Sequence, residues 1–258
     1  MKKYISSNIK YKLIGIATFI MLWQVLSIVI GENTFIFPGP IATIKQAIEL
    51  LKDSYIYKCI YQTMIRMIGG FALSFIIAFI LGVFAGNSEK IEEILKPTVK
   101  ILRSVPTACM VYLFLVIAGA RLTPLYIVVL ICFPILYESV LGGIKSTSKQ
   151  ILKACRLDGA NRIIENIEIR IPLAIPYILV GIMSSFGLSL KIEIMAEVIT
   201  GYTRLGLGSA ILAAQRSDPT NMVPVFGYSF VAIVIIFAVE EISEIIVNTY
   251  SRYFNGFM

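Results

Sequence analysis

Apolar residues in this chain come in runs too long for a strand and too dense for the one-sided stripe of a soluble helix. The runs lie near 13–30, 62–86, 97–118, 124–141, 172–199 and 222–239, and the stretches between them hold most of the charge. About 20 apolar residues carry a helix across the hydrocarbon core. A helix in lipid satisfies its own backbone, which irregular segments do not. The pattern therefore predicts an all-α membrane protein, a single domain of about six transmembrane helices. The third run is broken near its start by Arg103-Ser104-Val105-Pro106, and the fourth contains Pro134. In the second run Gly70, Ser74, Ala78, Gly82 and Gly86 recur every four residues, a ridge that lets another helix come close. Phe37-Pro38-Gly39-Pro40 signals a turn. It opens a helix with Ile41, Ile44, Ala47, Ile48 and Leu51 on one side and Lys45, Glu49 and Lys52 on the other, expected on the membrane surface. Gly201 to Asn221 is polar and Gly-rich, and is expected as a re-entrant or surface segment.

The interruption at 145–171 is both charged and amphipathic. It holds Lys145, Lys149, Lys153, Arg156, Arg162 and Arg170, six of the chain's 23 Lys and Arg. Gly159 separates two short helical patterns, where the lack of a Cβ permits a left-handed turn or a close backbone approach. Asp158 and Asn161 flank it as capping candidates. Ile163, Ile164, Ile167 and Ile171 then recur at helical spacing. The segment reads as a helix-turn-helix knob that fits a cleft in a soluble partner. An ordinary amphipathic connector is the plainer alternative.

Composition narrows the class further. At 57% hydrophobic over 258 residues the chain is no soluble domain. The net charge of +7 does not point to nucleic acid, because its distribution is that of membrane topology. With the amino terminus inside, the inner segments 1–12, 87–103 and 145–171 together with Arg252 carry fifteen basic residues. The outer segments carry six: Lys45, Lys52, Lys58, Arg121, Arg204 and Arg216. Both termini and the 145–171 loop are thus expected in the cytoplasm. Lys2, Lys3, Lys10 and Lys12 before the first run suit a secretory signal, but no small-x-small site follows it; Gly31-Glu32-Asn33 is a poor substitute. A retained first span is expected. Cys59, Cys109, Cys132 and Cys155 lack metal-type spacing, and the chain has no His. The commonest metal ligand and general base are therefore missing, and neither a catalytic nor a metal residue is assigned.

Read from Ala154, the order Ala-Cys-x-x-Asp-Gly-Ala, nine residues after Gly159 to Ile169, then Ile171-Pro172 resembles the cytoplasmic loop of permease subunits of bacterial ABC importers. Their pattern is E-A-A-x3-G-x9-I-x-L-P. The likeness extends over most of the chain from Phe37 onward and is nearest the nitrate/sulfonate/taurine-type branch. Phe37-Pro38-Gly39-Pro40, Thr63-Met-Ile-Arg66 with Gly70-Phe71, Leu102-Arg103-x-x-Pro106, and Ala196-Glu197 followed by Gly206-Leu207-Gly208 are similar to that branch's elements in the same order.

The resemblance implies a type I importer permease fold in the bacterial cell membrane. Two permease copies would pair as a homodimer, and each would dock its loop on one of two ATP-binding subunits. An extracellular binding protein would deliver the substrate. Lys153, Ala154, Cys155, Asp158, Gly159, Ala160, Ile169 and Pro172 are the implied coupling residues. ATP and Mg would be bound by the partner subunits, with no cofactor in this chain and no enzymatic step. Lys153 stands where the family has Glu, Cys155 where it has Ala, and Glu138 where this branch often has Asn. Gly142-Gly143-Ile144-Lys145-Ser146-Thr147 lacks the glycine spacing of a phosphate loop.

Charges inside spans are costly and face a cavity or a partner. Arg66, Glu138, Lys191 and Glu193, with Glu197 at the boundary, are the candidates for a translocation path carrying a small charged organic solute; ion pairs between helices are the alternative. Lys191 lies two residues from Glu193, about 200° round the helix, so its partner belongs on another helix. An intramembrane enzyme is disfavoured, since Asp53, Asp158 and Asp218 fall outside the spans. An ion-coupled secondary transporter would want inverted repeats and broken helices. The energising subunit of a vitamin-type ABC transporter is the nearer rival.

Overall fold

The computed structural model describes residues 2–30, 36–157, 159–201 and 205–255. Gly31-Glu32-Asn33 and Arg204 lie outside them. The regular structure among them is helical: α1 (Lys2–Val29), α2 (Pro40–Leu50), α3 (Ser54–Asn87), α4 (Glu89–Ser104), α5 (Thr107–Lys145), α6 (Lys149–Leu157), α7 (Arg162–Ile164), a π-helical segment (Glu165–Arg170), α8 (Ile171–Thr200), α9 (Leu207–Ser217) and α10 (Val223–Asn255). Among the described residues, three helical stretches are long and apolar enough to cross a membrane: Ser54–Asn87, Thr107–Lys145 and Arg162–Thr200. The stretch Ile14–Val29 within α1 is also apolar. By internal packing the chain divides into two units, residues 1–59 with 210–234, and 60–209 with 235–258.

In the first unit, the end of α1 holds the Pro-rich turn. Trp23 donates its indole N–H to the Pro38 carbonyl at 3.2 Å, and Ser27 its hydroxyl to the Phe37 carbonyl at 2.9 Å. Phe226 meets the Phe37 ring edge to face at 5.5 Å. Helix α2 begins at Pro40, whose fixed φ and absent N–H suit a first helical position. It buries Pro40, Thr43 and Ala47. Of the stripe expected to rest on the membrane surface, Ala47 turns inward while Ile41, Ile44 and Ile48 stay exposed.

The second unit is built on α3, α5 and α8. The small-residue ridge of α3 lies against α5. A Cβ on Gly70 would fall 2.8 Å from the Leu125 carbonyl, one on Gly82 2.7 Å from Val140, and one on Gly86 2.4 Å from Ile144. Ala78 is wholly buried, and Ser74 donates to the Val129 carbonyl at 3.1 Å. Helix α5 meets α8 through the same kind of contact. Gly143 faces Ala174, and Gly181 faces Ser139.

Pro97, the expected start of the third span, lies inside α4. That helix carries Glu89, Lys90, Glu92, Glu93, Lys96, Lys100 and Arg103, too many charges for lipid. The break comes at Val105, pushed to extended backbone (φ −76°, ψ 128°) by Pro106, the N-cap of α5. Gly119 (φ 73°, ψ 163°) then divides 107–118 from 120–145, in a conformation open to a residue without Cβ.

Candidate functional site

The knob is built by two local devices. At the end of α6 the Ala160 amide donates to the Cys155 carbonyl at 3.0 Å and the Gly159 amide to the Arg156 carbonyl at 3.2 Å. With Gly159 at φ +87° this is a Schellman stop. Among the described residues no atom lies within 4 Å of a Cβ built on Gly159, so the left-handed turn, not close packing, requires glycine there. Asn161 starts the next helix by accepting from the Ile163 and Ile164 amides at 3.0 and 2.9 Å. Asp158, the other capping candidate, lies outside the described residues.

Beyond α7 the chain widens into the π turn before entering α8, its Ile171 amide donating to the Asn166 carbonyl. Pro172 explains the widening. In a regular helix its ring would clash with the Glu168 carbonyl and leave it without a donor. Closing the preceding turn one residue later moves the Glu168 carbonyl clear of the ring. The wider turn brings residues five apart onto one face, and Arg170 reaches Glu165 at 2.5 Å. On an α-helix they would point about 140° apart. Glu165 also accepts from Arg156 of α6 at 2.9 Å, and Arg170 donates to the Gly86 carbonyl at the end of α3 at 3.3 Å. A nearly buried carboxylate thus ties both arms of the knob to α3. The Arg156 guanidinium, joined by Arg170, holds the Glu165 carboxyl below the usual carboxylate range; burial opposes that shift and is outweighed.

Outward, the knob is apolar. Leu157, Ile163 and Ile167 are 89%, 67% and 61% exposed, a patch that in a folded chain marks a partner surface. Lys153, Ala154 and Gly159 are exposed beside it, while Cys155, Ala160, Ile169 and Pro172 are half-buried.

The intramembrane candidates separate into different environments. Glu197 is closed in: its carboxylate accepts from Arg66 at 2.8 Å, from the Thr63 hydroxyl at 3.0 Å, and from the Gly208 amide at 2.9 Å. The Leu207 amide donates to Thr63 at 2.9 Å, and Arg66 reaches the Leu205 carbonyl at 3.0 Å. Gly206 and Gly208 let this happen. A Cβ on Gly206 would sit 2.5 Å from the carboxylate, and one on Gly208 2.2 Å from the Ile194 carbonyl. Glu138 pairs with Arg103 of α4, both about half-exposed. Lys191 pairs with Glu240 of α10 at 2.6 Å, on another helix as its angular position requires. Glu193 is fully buried, and neither carboxylate oxygen has a hydrogen-bond partner among the described residues.

Glu165, Thr63, Arg103 and Glu240 are functional candidates that composition and spacing do not single out. A five-residue separation signals no pairing on an α-helix, and the other three contacts span between 35 and 134 residues. Among the described residues no cluster of His, Cys, Asp and Glu suits a metal ion.

Residues 76–251 match the family model described as binding-protein-dependent transport system inner membrane component. The putative aliphatic sulfonates transport permease protein SsuC of Bacillus subtilis is 24% identical over 92% of this chain and 83% of its own length. The riboflavin transport system permease protein RibX of Chloroflexus aurantiacus is 28% identical over 79% and 76%. The nitrate import permease protein NrtB of Synechocystis is 22% identical over 80% and 76%. In fold, a chain of the MetNI methionine ABC transporter, solved in inward-facing conformations, is similar with a TM-score of 0.65 at 13% identity, covering 76% of this chain and 95% of that one. The chain belongs to the binding-protein-dependent transport system inner membrane components, the permease subunits of type I ABC importers.

Proposed function

We propose that two copies of this chain form the translocation pathway of an importer for a small charged organic solute, driven through the 145–171 knob by separate ATP-binding subunits and supplied by an extracellular binding protein. One observation carries the reading. Leu157, Ile163 and Ile167 project from a rigidly capped turn whose carboxylate clasp runs back to α3. A push on that surface is thereby handed to a long apolar helix. ATP and Mg act on the partner subunits, and this chain supplies the mechanical receiver. Both termini and the knob face the cytoplasm in this reading, in keeping with the basic bias of those segments.

Within the membrane, Glu138 and Lys191 are half-exposed where a span would otherwise be apolar, which suits a water-filled path. Glu193 completes the set, since a buried carboxylate left without a donor is costly unless something else meets it. Arg66 and Glu197 stand at the edge of this path and hold the start of α9. The relatives are named for aliphatic sulfonates, nitrate and riboflavin, all small solutes, and do not select one.

Co-purification tests the docking reading: the chain should bring down an ATP-binding subunit, and deletion of residues 158–160 should release it. Retention of the subunit by the deleted chain would refute the docking surface. Lys191→Gln or Glu193→Gln should abolish uptake with the subunit still bound; unaltered uptake would refute the path.

A further inference from the structure

Between α4 and α5 lies a cavity of about 460 Å³ whose wall includes Glu92, Lys96, Lys100, Arg103, Tyr137 and Glu138. Its two acids are both engaged, Glu138 by Arg103 and Glu92 by Lys145 at 2.6 Å. Arg103 is engaged in turn, but the two lysines are not closely held. Lys96 is held only by the exposed Glu93, a contact of little worth in water, and Lys100 has no ion-pair partner among the described residues. Tyr137 is 2% exposed, and its hydroxyl is buried without a hydrogen-bond partner. Such a group costs stability unless an acceptor arrives. A half-exposed Arg–Glu pair, a free lysine and an unsatisfied hydroxyl around one cavity describe an anion site occupied by the protein's own carboxylate.

We propose that this cavity binds an oxyanionic group, with Glu138 as its internal stand-in. The arriving anion takes the Arg103 guanidinium from Glu138, gains Lys100 as a second cation, and meets the Tyr137 hydroxyl once the pair has opened. Planar guanidinium chemistry suits sulfonate, carboxylate and phosphate oxygens alike. The inference rests on the reading that Glu138 borders the solute path. It makes a prediction of unusual sign: removing the negative charge of Glu138 removes a competitor and improves binding.

The test uses the complex with its ATP-binding subunits, nucleotide sites filled with ADP, in phosphatidylcholine nanodiscs, with equilibrium dialysis against radiolabelled sulfate. Binding should be saturable, about tenfold weaker in Lys100→Gln and about tenfold tighter in Glu138→Gln. Tyr137→Phe should weaken it severalfold while leaving the apparent Tm equal or higher, since it deletes an unsatisfied hydroxyl. Absence of saturable binding, indifference to Lys100→Gln, or weaker binding in Glu138→Gln would each overturn the proposal. Nanodiscs containing phosphatidylglycerol identify the source. Loss of sulfate binding there, with less co-purified anionic lipid in Lys100→Gln, assigns the site to a headgroup; persistence assigns it to a free solute. Uptake of the cognate solute by proteoliposomes separates the two readings, because altered sulfate affinity with unaltered uptake keeps the site and removes it from the path.

Discussion

Glu165 is the residue on which the knob turns, and its environment sets how it responds to substitution and pH. It is nearly buried, Arg170 is 11% exposed beside it, and Arg156 is about half in water. Breaking a fully buried pair costs about 3–5 kcal/mol and a surface pair under about 1; Glu165→Gln should fall between, at about 1–3 kcal/mol of local stability. Hydrogen exchange at 162–170 should then quicken by about tenfold or more, with the membrane helices unchanged. The folded pKa of Glu165 lies below its unfolded value. Its contribution is therefore fully present above the unfolded value near 4.3 and is lost as pH falls through the folded one. Exchange in the knob should be insensitive to this group from pH 5 to 8 and rise only in acid. Gly159 makes a separate prediction. At φ +87° with open space around it, Gly159→Ala meets only backbone strain, about 1–2 kcal/mol. Gly159→Asn should cost less, because Asn tolerates the left-handed region. Solute taken up per ATP hydrolysed should drop in the first variant and be largely restored in the second.

At the level of elements, the small-residue ridge and the π turn differ in how far the sequence discloses them. Gly70, Ser74, Ala78, Gly82 and Gly86 share a face by period alone, so their joint packing is legible from spacing. The partner helix α5 is not, because Val128, Val140 and Ile144 carry no mark that distinguishes them from lipid-facing neighbours. A Cβ at Gly86 would lie 2.4 Å from Ile144, whereas one at Gly69 finds its nearest neighbour at 3.7 Å. Gly86→Ala should cost about 1–3 kcal/mol by overpacking and lower the apparent Tm in detergent, with Gly69→Ala as an unaffected control. The π turn could not be read in advance. Pro172 is visible in the sequence, but whether a helix breaks, kinks or widens before a proline depends on what rewards each outcome. Here the reward is the Glu165–Arg170 contact. Pro172→Ala should let the turn revert to α, rotate Arg170 away from Glu165, and reproduce the exchange signature of Glu165→Gln. The amphipathic α4 was concealed for a related reason: Pro97 suggests a boundary, yet the chain breaks only where Pro106 forces Val105 into extended backbone.

For the whole molecule, the decisive quantity is the direction in which the helices cross the bilayer. The loop pattern and the basic bias were both legible because they depend on local spacing and on charge near span ends. Which intramembrane charges meet was not, since Arg66–Glu197, Arg103–Glu138 and Lys191–Glu240 join positions between 35 and 131 residues apart. Fifteen basic residues on one side against six on the other predict an inward knob and an outward α2. In a variant with all four natural cysteines replaced, a cysteine at Lys153 should react with a membrane-impermeant maleimide only after the cells are opened. A cysteine at Lys52, just past the end of α2, should react in intact cells once the outer layers are removed. Both positions are exposed on the chain, so a difference in labelling reports sidedness and not burial. Docked ATP-binding subunits should further shield position 153 and not position 52, and removing them should restore its reactivity. Labelling of Lys153→Cys in intact cells would place the knob outside. No intracellular ATPase could then push on it, whatever its resemblance to a coupling loop.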